Sequence, residues 1–149
     1  MLDIRFASRL RAHRGKLEFG PGPGDEVFAA SFLTRREIVF DEALLSHAPD
    51  FLNICAHEVY HFVWRKLANA DRLAWHNLLQ AEKRPQHAGV SSRVAYERYR
   101  QRPHSRNWKH YLCEAFCDSA AALTSPQAKL SGKRKTWLES LCRRRRLGI

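Results

Sequence analysis

The chain has 149 residues, four cysteines and a formal net charge of +11, with 44% apolar and 11% aromatic residues. This composition argues against a disordered chain, and so few, irregularly spaced cysteines argue against a disulfide framework. The N-terminus lacks an apolar run of signal-peptide length, and no apolar stretch approaches the roughly 18 residues that span a bilayer. We therefore expect a single cytoplasmic, soluble domain, residues 1–149, with no membrane partner.

The positive charge is concentrated in the last two fifths of the chain. Residues 1–90 hold 12 Lys and Arg against 11 Asp and Glu, whereas residues 91–149 hold 14 against 4. Such a basic half indicates either acidic partners, nucleic acid among them, or simply a solvated face.

The first third of the chain predicts a small β-sheet. Short segments rich in Val, Ile and Phe alternate with turn residues: "MLDIRFA", "KLEFG", "VFAASFL" and "REIVFD". The last two are separated by "TRR", which favours a hairpin, and the cluster "GPGPGDE" indicates an exposed loop.

From residue 43 onward the apolar period becomes helical. The first predicted helix follows Pro49-Asp50, with Asp50 as a cap and one apolar stripe: Leu52, Cys55, Val59, Phe62 and Val63. Three more helices are predicted, over residues 71–84, 108–125 and 133–147. Residues 85–93 and 103–108 are predicted loops, and residues 94–102 are ambiguous.

The first helix carries "HEVYH", residues 57–61. Two histidines four positions apart lie one turn apart on a single helix face, so His57 and His61 can offer nitrogens to one metal ion. Glu58 lies beside that face, where it can take a proton from a water that the metal activates. A catalytic zinc also needs a third protein ligand.

A candidate for the third ligand lies further along the chain, in a later predicted helix. Trp64 and Leu67 occupy the positions at which metzincins carry Gly and a third His, so that arrangement is excluded. "EAFCD", residues 114–118, places Glu114 and Asp118 four apart in an apolar helix. Two acids in such a helix need partners, and a cation with its histidine ligands would satisfy them.

These two motifs resemble those of the gluzincin metallopeptidases, to which thermolysin belongs. The resemblance covers about residues 28–125 and implies an α+β, zincin-like fold: a small N-terminal sheet, an active-site helix, a glutamate helix and a basic C-terminal helix. It implies one Zn2+ held by His57, His61 and Glu114, with Glu58 as the general base and Asp118 as an acceptor that orients a ligand histidine. Here 52 residues separate the motifs and 31 follow Asp118, which would make the chain a miniature of the family.

A peptidase also needs a donor for the oxyanion that forms during hydrolysis. Tyr111, one turn before Glu114, is one candidate, and His104 and His110 are others; for Tyr111 the alternative is core packing. Cys113 and Cys117 share a helix side and could bind metal, but without a second cysteine pair they are expected to pack as small apolar residues.

The leading function is therefore zinc-dependent hydrolysis of peptide bonds in a peptide or protein substrate. The alternative is a basic nucleic-acid-associated module whose zinc site is structural or vestigial. In that case "RRRR", residues 143–146, and the basic residues 133–135 would make nonspecific contacts to phosphates. A peptidase that acts on DNA-bound or acidic proteins would combine both.

Overall fold

A computed structural model describes residues 1–124, 130 and 132–145. These residues form short β-strands in two small sheets and five α-helices, which confirms the α+β class predicted from the sequence. The chain divides into two compact units, Met1–Phe62 and Val63–Ile149. The single domain and the zincin-like arrangement remain predictions.

The first unit contains six strands in two three-stranded sheets. The strands are β1 (Asp3–Ala7), β2 (Leu10–His13), β3 (Lys16–Phe19), β4 (Asp25–Glu26), β5 (Ala29–Phe32) and β6 (Glu37–Asp41). One sheet has the order β1-β6-β5, and the other has the order β3-β2-β4. The sequence predicts β1, β3, β5 and β6 but misses β2 and the two-residue β4.

In the first sheet β5 and β6 form the predicted antiparallel hairpin. β1 pairs with β6 in parallel, with Asp3 opposite Glu37 and Ala7 opposite Asp41. All five residues of β6 are buried, as expected for the central strand. Because β6 is paired on both sides, it has no free edge, whereas β5 lies at an edge of this sheet.

The Gly/Pro-rich loop of the second sheet is held by a buried arginine. Arg11 on β2 is only 7% exposed, and its guanidinium donates to the carbonyl oxygens of Gly20, at 2.6 Å, and of Pro23. A Cβ at Gly22 would lie 2.7 Å from this guanidinium, so glycine is required for the close approach.

The long helix α1 (Ala48–Lys66) follows a 3₁₀ turn, Glu42–Ser46. It packs on a core of Ile38, Phe40 and Leu44 through Phe51, Ile54, Cys55 and Phe62. The predicted apolar stripe is therefore partly wrong. Leu52 and Val59 are 65% and 36% exposed, because the packed face is rotated towards Phe51 and Ile54.

The start of α1 also differs from the prediction. The helix begins at Ala48, two residues before Asp50, so Asp50 lies in its first turn and is not its cap. There the carboxylate pairs with Nδ1 of His47 at 2.8 Å. An acid in the first turn still stabilises the helix dipole.

The second unit is helical in its described residues. Its helices are α2 (Asn69–Gln80), α3 (Val90–Gln101), α4 (Ser105–Leu123) and α5 (Gly132–Arg145). The predicted loops were too long, because residues 90–93 belong to α3 and residues 105–108 belong to α4. The predicted stop at Ser125-Pro126 and the end of the last helix lie outside the described residues.

Trp75 is the centre of the aromatic core of the second unit. It is fully buried, its indole N–H donates to the carbonyl oxygen of Leu112 at 3.0 Å, and its ring packs against Phe116 and Trp137. These contacts fasten α2 and α5 to α4. None of the helices in the described part of the chain is long and apolar enough to cross a membrane.

Candidate metal centre

The two histidines of the motif converge within α1. His57 is 9% exposed, and its Nε2 lies 3.1 Å from Nε2 of His61. The rings meet edge to face, with centroids 4.9 Å apart. The i, i+4 spacing therefore directs both ring nitrogens at one point, as predicted from the sequence.

The nitrogen separation fits a shared zinc ion. Two zinc–nitrogen bonds of about 2.0–2.1 Å that meet at a tetrahedral angle hold their nitrogens about 3.3 Å apart. The observed 3.1 Å is close to that value, so a small rotation of either ring would complete the geometry. The residue types also fit, since neutral imidazole and carboxylate are ordinary zinc ligands.

Glu58 is buried next to this pair and is fixed from the sheet. Glu58 is 9% exposed, and its Oε2 accepts a hydrogen bond from the Ser31 hydroxyl at 2.5 Å. The same hydroxyl lies 3.2 Å from the Glu58 carbonyl oxygen. Ser31 belongs to the edge strand β5, so the carboxylate is held directly beside that edge.

The thiol of Cys55 lies on the packed side of the same helix. Burial raises its pKa, and the nearby Glu58 carboxylate raises it further. A thiol with a raised pKa stays protonated at neutral pH and is a poor metal ligand. Cys55 therefore has the packing role that the sequence predicts.

In the second unit Glu114 lies on α4 with a side chain that is 12% exposed. Its Oε1 is 3.3 Å from Nε2 of His110, one turn earlier on the same helix. His110 thus contacts the carboxylate that is predicted to bind zinc, whereas the sequence analysis considered His110 only as an oxyanion donor. The i, i+4 spacing of His110 and Glu114 could have indicated this contact.

Asp118 is tied to the start of α3. It is 7% exposed, and its Oδ2 accepts from the backbone N–H of Ser92 at 2.7 Å. A Cβ on Gly89 would lie 2.5–2.6 Å from the carboxylate atoms, so the approach requires glycine there. This contact satisfies an N–H that α3 leaves open and favours a negative charge at its positive end. The orientation of a histidine by Asp118 stays a prediction.

The candidate oxyanion donors have other contacts. Tyr111 is 1% exposed and packs on Tyr96 and Trp108. Burial raises its pKa, against an opposing effect of Arg134. These contacts are compatible with the packing role that was the alternative, and the role of Tyr111 as a donor stays a prediction. Nδ1 of His104 caps α4 by accepting from the Arg106 N–H.

Two groups of side chains in the described residues could hold a metal ion. One group is the set predicted from the sequence, His57, His61 and Glu114; the other is His61, Cys113 and Cys117. The prediction that this chain can hold a metal ion is confirmed to this extent. The second group makes Cys113 and Cys117 possible metal ligands, whereas the sequence analysis expected them to pack as small apolar residues.

The basic C-terminal helix is partly engaged within its own unit. Arg144 and Arg145 share the carboxylate of Asp71, at 3.2 and 2.6 Å. Arg134 is fully buried and forms two hydrogen bonds with Glu82, at 2.6 and 2.7 Å. Arg146 lies outside the described residues. These bonds give three of the predicted phosphate contacts an internal structural role.

The chain matches no protein-family model, and neither the curated proteins nor the solved structures contain a match to it.

Proposed function

We propose that this chain is a zinc-dependent peptidase of the gluzincin type, built on a zincin-like core. One observation carries the proposal: two imidazole nitrogens converge at 3.1 Å on α1, with the buried carboxylate of Glu58 next to them in the chain. Two facing imidazoles with an adjacent buried acid have a common explanation in a hydrolytic metal site.

In this proposal the ion is held by His57, His61 and Glu114, which leaves the fourth position of a tetrahedral site for water or substrate. Bound zinc would polarise the scissile carbonyl and lower the pKa of water. His110 is proposed to hold the Glu114 carboxylate, and Asp118 to orient a ligand histidine.

Glu58 is proposed as the general base. It takes a proton from the attacking water and delivers it to the leaving amine, so the peptide bond breaks with protons balanced. Ser31 donates to the carboxylate oxygen Oε2 and fixes its direction during both transfers. This role requires that Glu58 remain outside the ligand set.

The substrate is proposed to be an extended peptide that pairs with the edge of β5. In the first sheet β5 is hydrogen-bonded to β6 on one side only. Ser31, on the same strand, contacts Glu58, so a peptide aligned along this edge would pass close to the base. Backbone pairing to an edge strand binds peptides with little regard to sequence.

The decisive experiment compares Glu58→Gln with the parent and with Asp50→Asn, a control that neutralises an exposed acid on the same helix. Zinc content is measured by metal analysis and hydrolysis with a mixed library of fluorogenic peptides. Glu58→Gln should retain zinc and lose about 10²–10⁴-fold in rate, because the base is removed but the ligands are not. His57→Ala should lose the zinc.

Three results would contradict the proposal: a parent without zinc, equal hydrolysis by Glu58→Gln and the parent, or a zinc-loaded parent that cleaves nothing. The last would favour a structural site. A Cys113→Ser/Cys117→Ser variant separates the two ligand groups, since it should keep both zinc and activity if Glu114 is the third ligand.

A further inference from the structure

The hairpin formed by α3 and α4 carries an exposed basic surface. Residues 93–109 contain six cations and a single acid, Glu97. The six are called here the basic hairpin: Arg93, Arg98, Arg100, Arg102, Arg106 and Lys109. We propose that the basic hairpin binds the phosphate backbone of double-stranded DNA without sequence specificity. This inference does not depend on the proposed peptidase activity.

The charges of the basic hairpin are available to a partner. All six residues are exposed. Among the ion pairs of the described residues, none involves a member of the basic hairpin. The segments outside the description, 125–129, 131 and 146–149, contain no Asp or Glu that could pair with them.

The C-terminal helix makes the contrast clear. Arg144 and Arg145 share Asp71, and Arg134 is buried against Glu82. Releasing any of these arginines to a phosphate would leave a buried or half-buried acid without its partner, which costs free energy. We therefore expect an anionic partner to bind the basic hairpin more readily than "RRRR", residues 143–146.

The composition of the surface favours phosphate. Five of the six cations are arginines, whose planar guanidinium can donate two parallel hydrogen bonds to one phosphate. Arg93 and Arg100 lie seven positions apart on α3, which places them on one flank about 10 Å apart. That distance corresponds to about three base pairs along a duplex.

The aromatic residues of the hairpin favour a duplex over a single strand. Tyr99 packs on Trp108 at 5.0 Å between centroids, and Tyr96 packs on Tyr111 at 5.0 Å. These tilted pairs pack the two helices together, and rings engaged in this way are less available to stack on unpaired bases. The backbone of paired DNA is then the ligand that this surface fits.

The test measures binding of a fluorescein-labelled 20-base-pair DNA by anisotropy between 50 and 200 mM salt. The test variant is Arg93→Gln/Arg100→Gln/Arg106→Gln. The control is Lys133→Gln/Lys135→Gln/Arg143→Gln, which removes the same charge from exposed positions of α5. Circular dichroism verifies that both are folded, and Arg98→Gln/Lys109→Gln is a second variant of the same surface.

If all six cations contact phosphates, the parent should lose about a thousandfold in affinity over this salt range. The test variant should bind more weakly at 50 mM and lose only about fortyfold, because three contacts have been removed. The control should behave like the parent. Glu58→Gln should bind DNA as the parent does, so failure of the peptidase proposal would leave this result unaffected.

Several outcomes would overturn the inference. Absence of salt-dependent DNA binding would do so, as would equal losses in the test variant and the control, which would indicate net charge alone. Tighter binding of single-stranded DNA, duplex RNA, polyglutamate or phosphatidylserine vesicles would identify a different partner for the surface.

Discussion

Ser31 and Glu58 form the contact on which the proposed chemistry depends most directly. A hydrogen bond to a charged group contributes about 1.5–3 kcal/mol, and an aligned base needs to keep its direction through the reaction. Ser31→Ala should therefore lower kcat by about tenfold or more while zinc content stays the same. Peptide hydrolysis and metal analysis on the same preparation measure both quantities.

Ser31→Thr is the matched control for that experiment, because it retains the hydroxyl and suits a strand. Its kcat should be close to that of the parent. A Ser31→Ala variant with full activity, or one that loses zinc together with activity, would show that Ser31 does not act by positioning the base.

At the scale of single residues, the sequence predicted those contacts whose two residues lie close together in the chain. His57 and His61 are one helical turn apart, so their convergence follows from helix geometry alone. Ser31 could not be predicted, because 27 positions separate it from Glu58 and a serine in a strand gives no sign of its partner. The same holds for Ser92 and Asp118, which are 26 apart.

Helix α5 is fastened to α2 by an ion pair with a predictable pH dependence. Hydrogen bonds from Arg145 and Arg144 hold the pKa of Asp71 below its ordinary value, against an opposing effect of burial. A carboxyl with a lowered folded-state pKa adds stability above its unfolded value of about 3.9 and loses it as the pH falls through the folded-state pKa. The arginines are half-exposed, so solvent limits the effect to about 1 kcal/mol.

Asp71→Asn should accordingly be less stable than the parent at pH 7, and the difference should vanish at low pH. Urea denaturation from pH 7 to pH 2 measures the free energy of unfolding of both proteins. Asp25→Asn, a change at an exposed acid of β4, should show no such convergence. A gap that does not narrow as the pH falls from 5 to 2 would mean that the loss is not electrostatic.

Among the elements, those with a regular apolar period were predicted and those held by remote caps were not. α1 and α4 carry long apolar repeats, and both appear near their predicted places. The first turn of α3 was predicted as loop, because the residue that accepts from its Ser92 N–H is Asp118 on another helix, 26 positions away. β2 was missed because Arg11 interrupts its apolar pattern, although that side chain is buried against loop carbonyls.

At the scale of the molecule, the sequence predicted the order of elements but not the strand pairing. A hairpin such as β5–β6 is local, so its turn residues indicate it. The parallel pairing of β1 with β6 joins residues 3–7 to residues 37–41, and the second sheet lies between them in the chain. Nothing in either strand specifies a partner that far away.

That pairing has a consequence for the order of folding. The β5–β6 hairpin closes a short loop, whereas β1 can join only after a loop of more than 30 residues has closed, and contacts of long sequence separation form slowly. In pulse-labelled hydrogen exchange, amides of β5 should therefore gain protection before those of β1, and simultaneous protection would contradict this. Ser31 would then be placed early, while β1, which precedes the other strands in the chain and completes the sheet, would be among the last to be fixed.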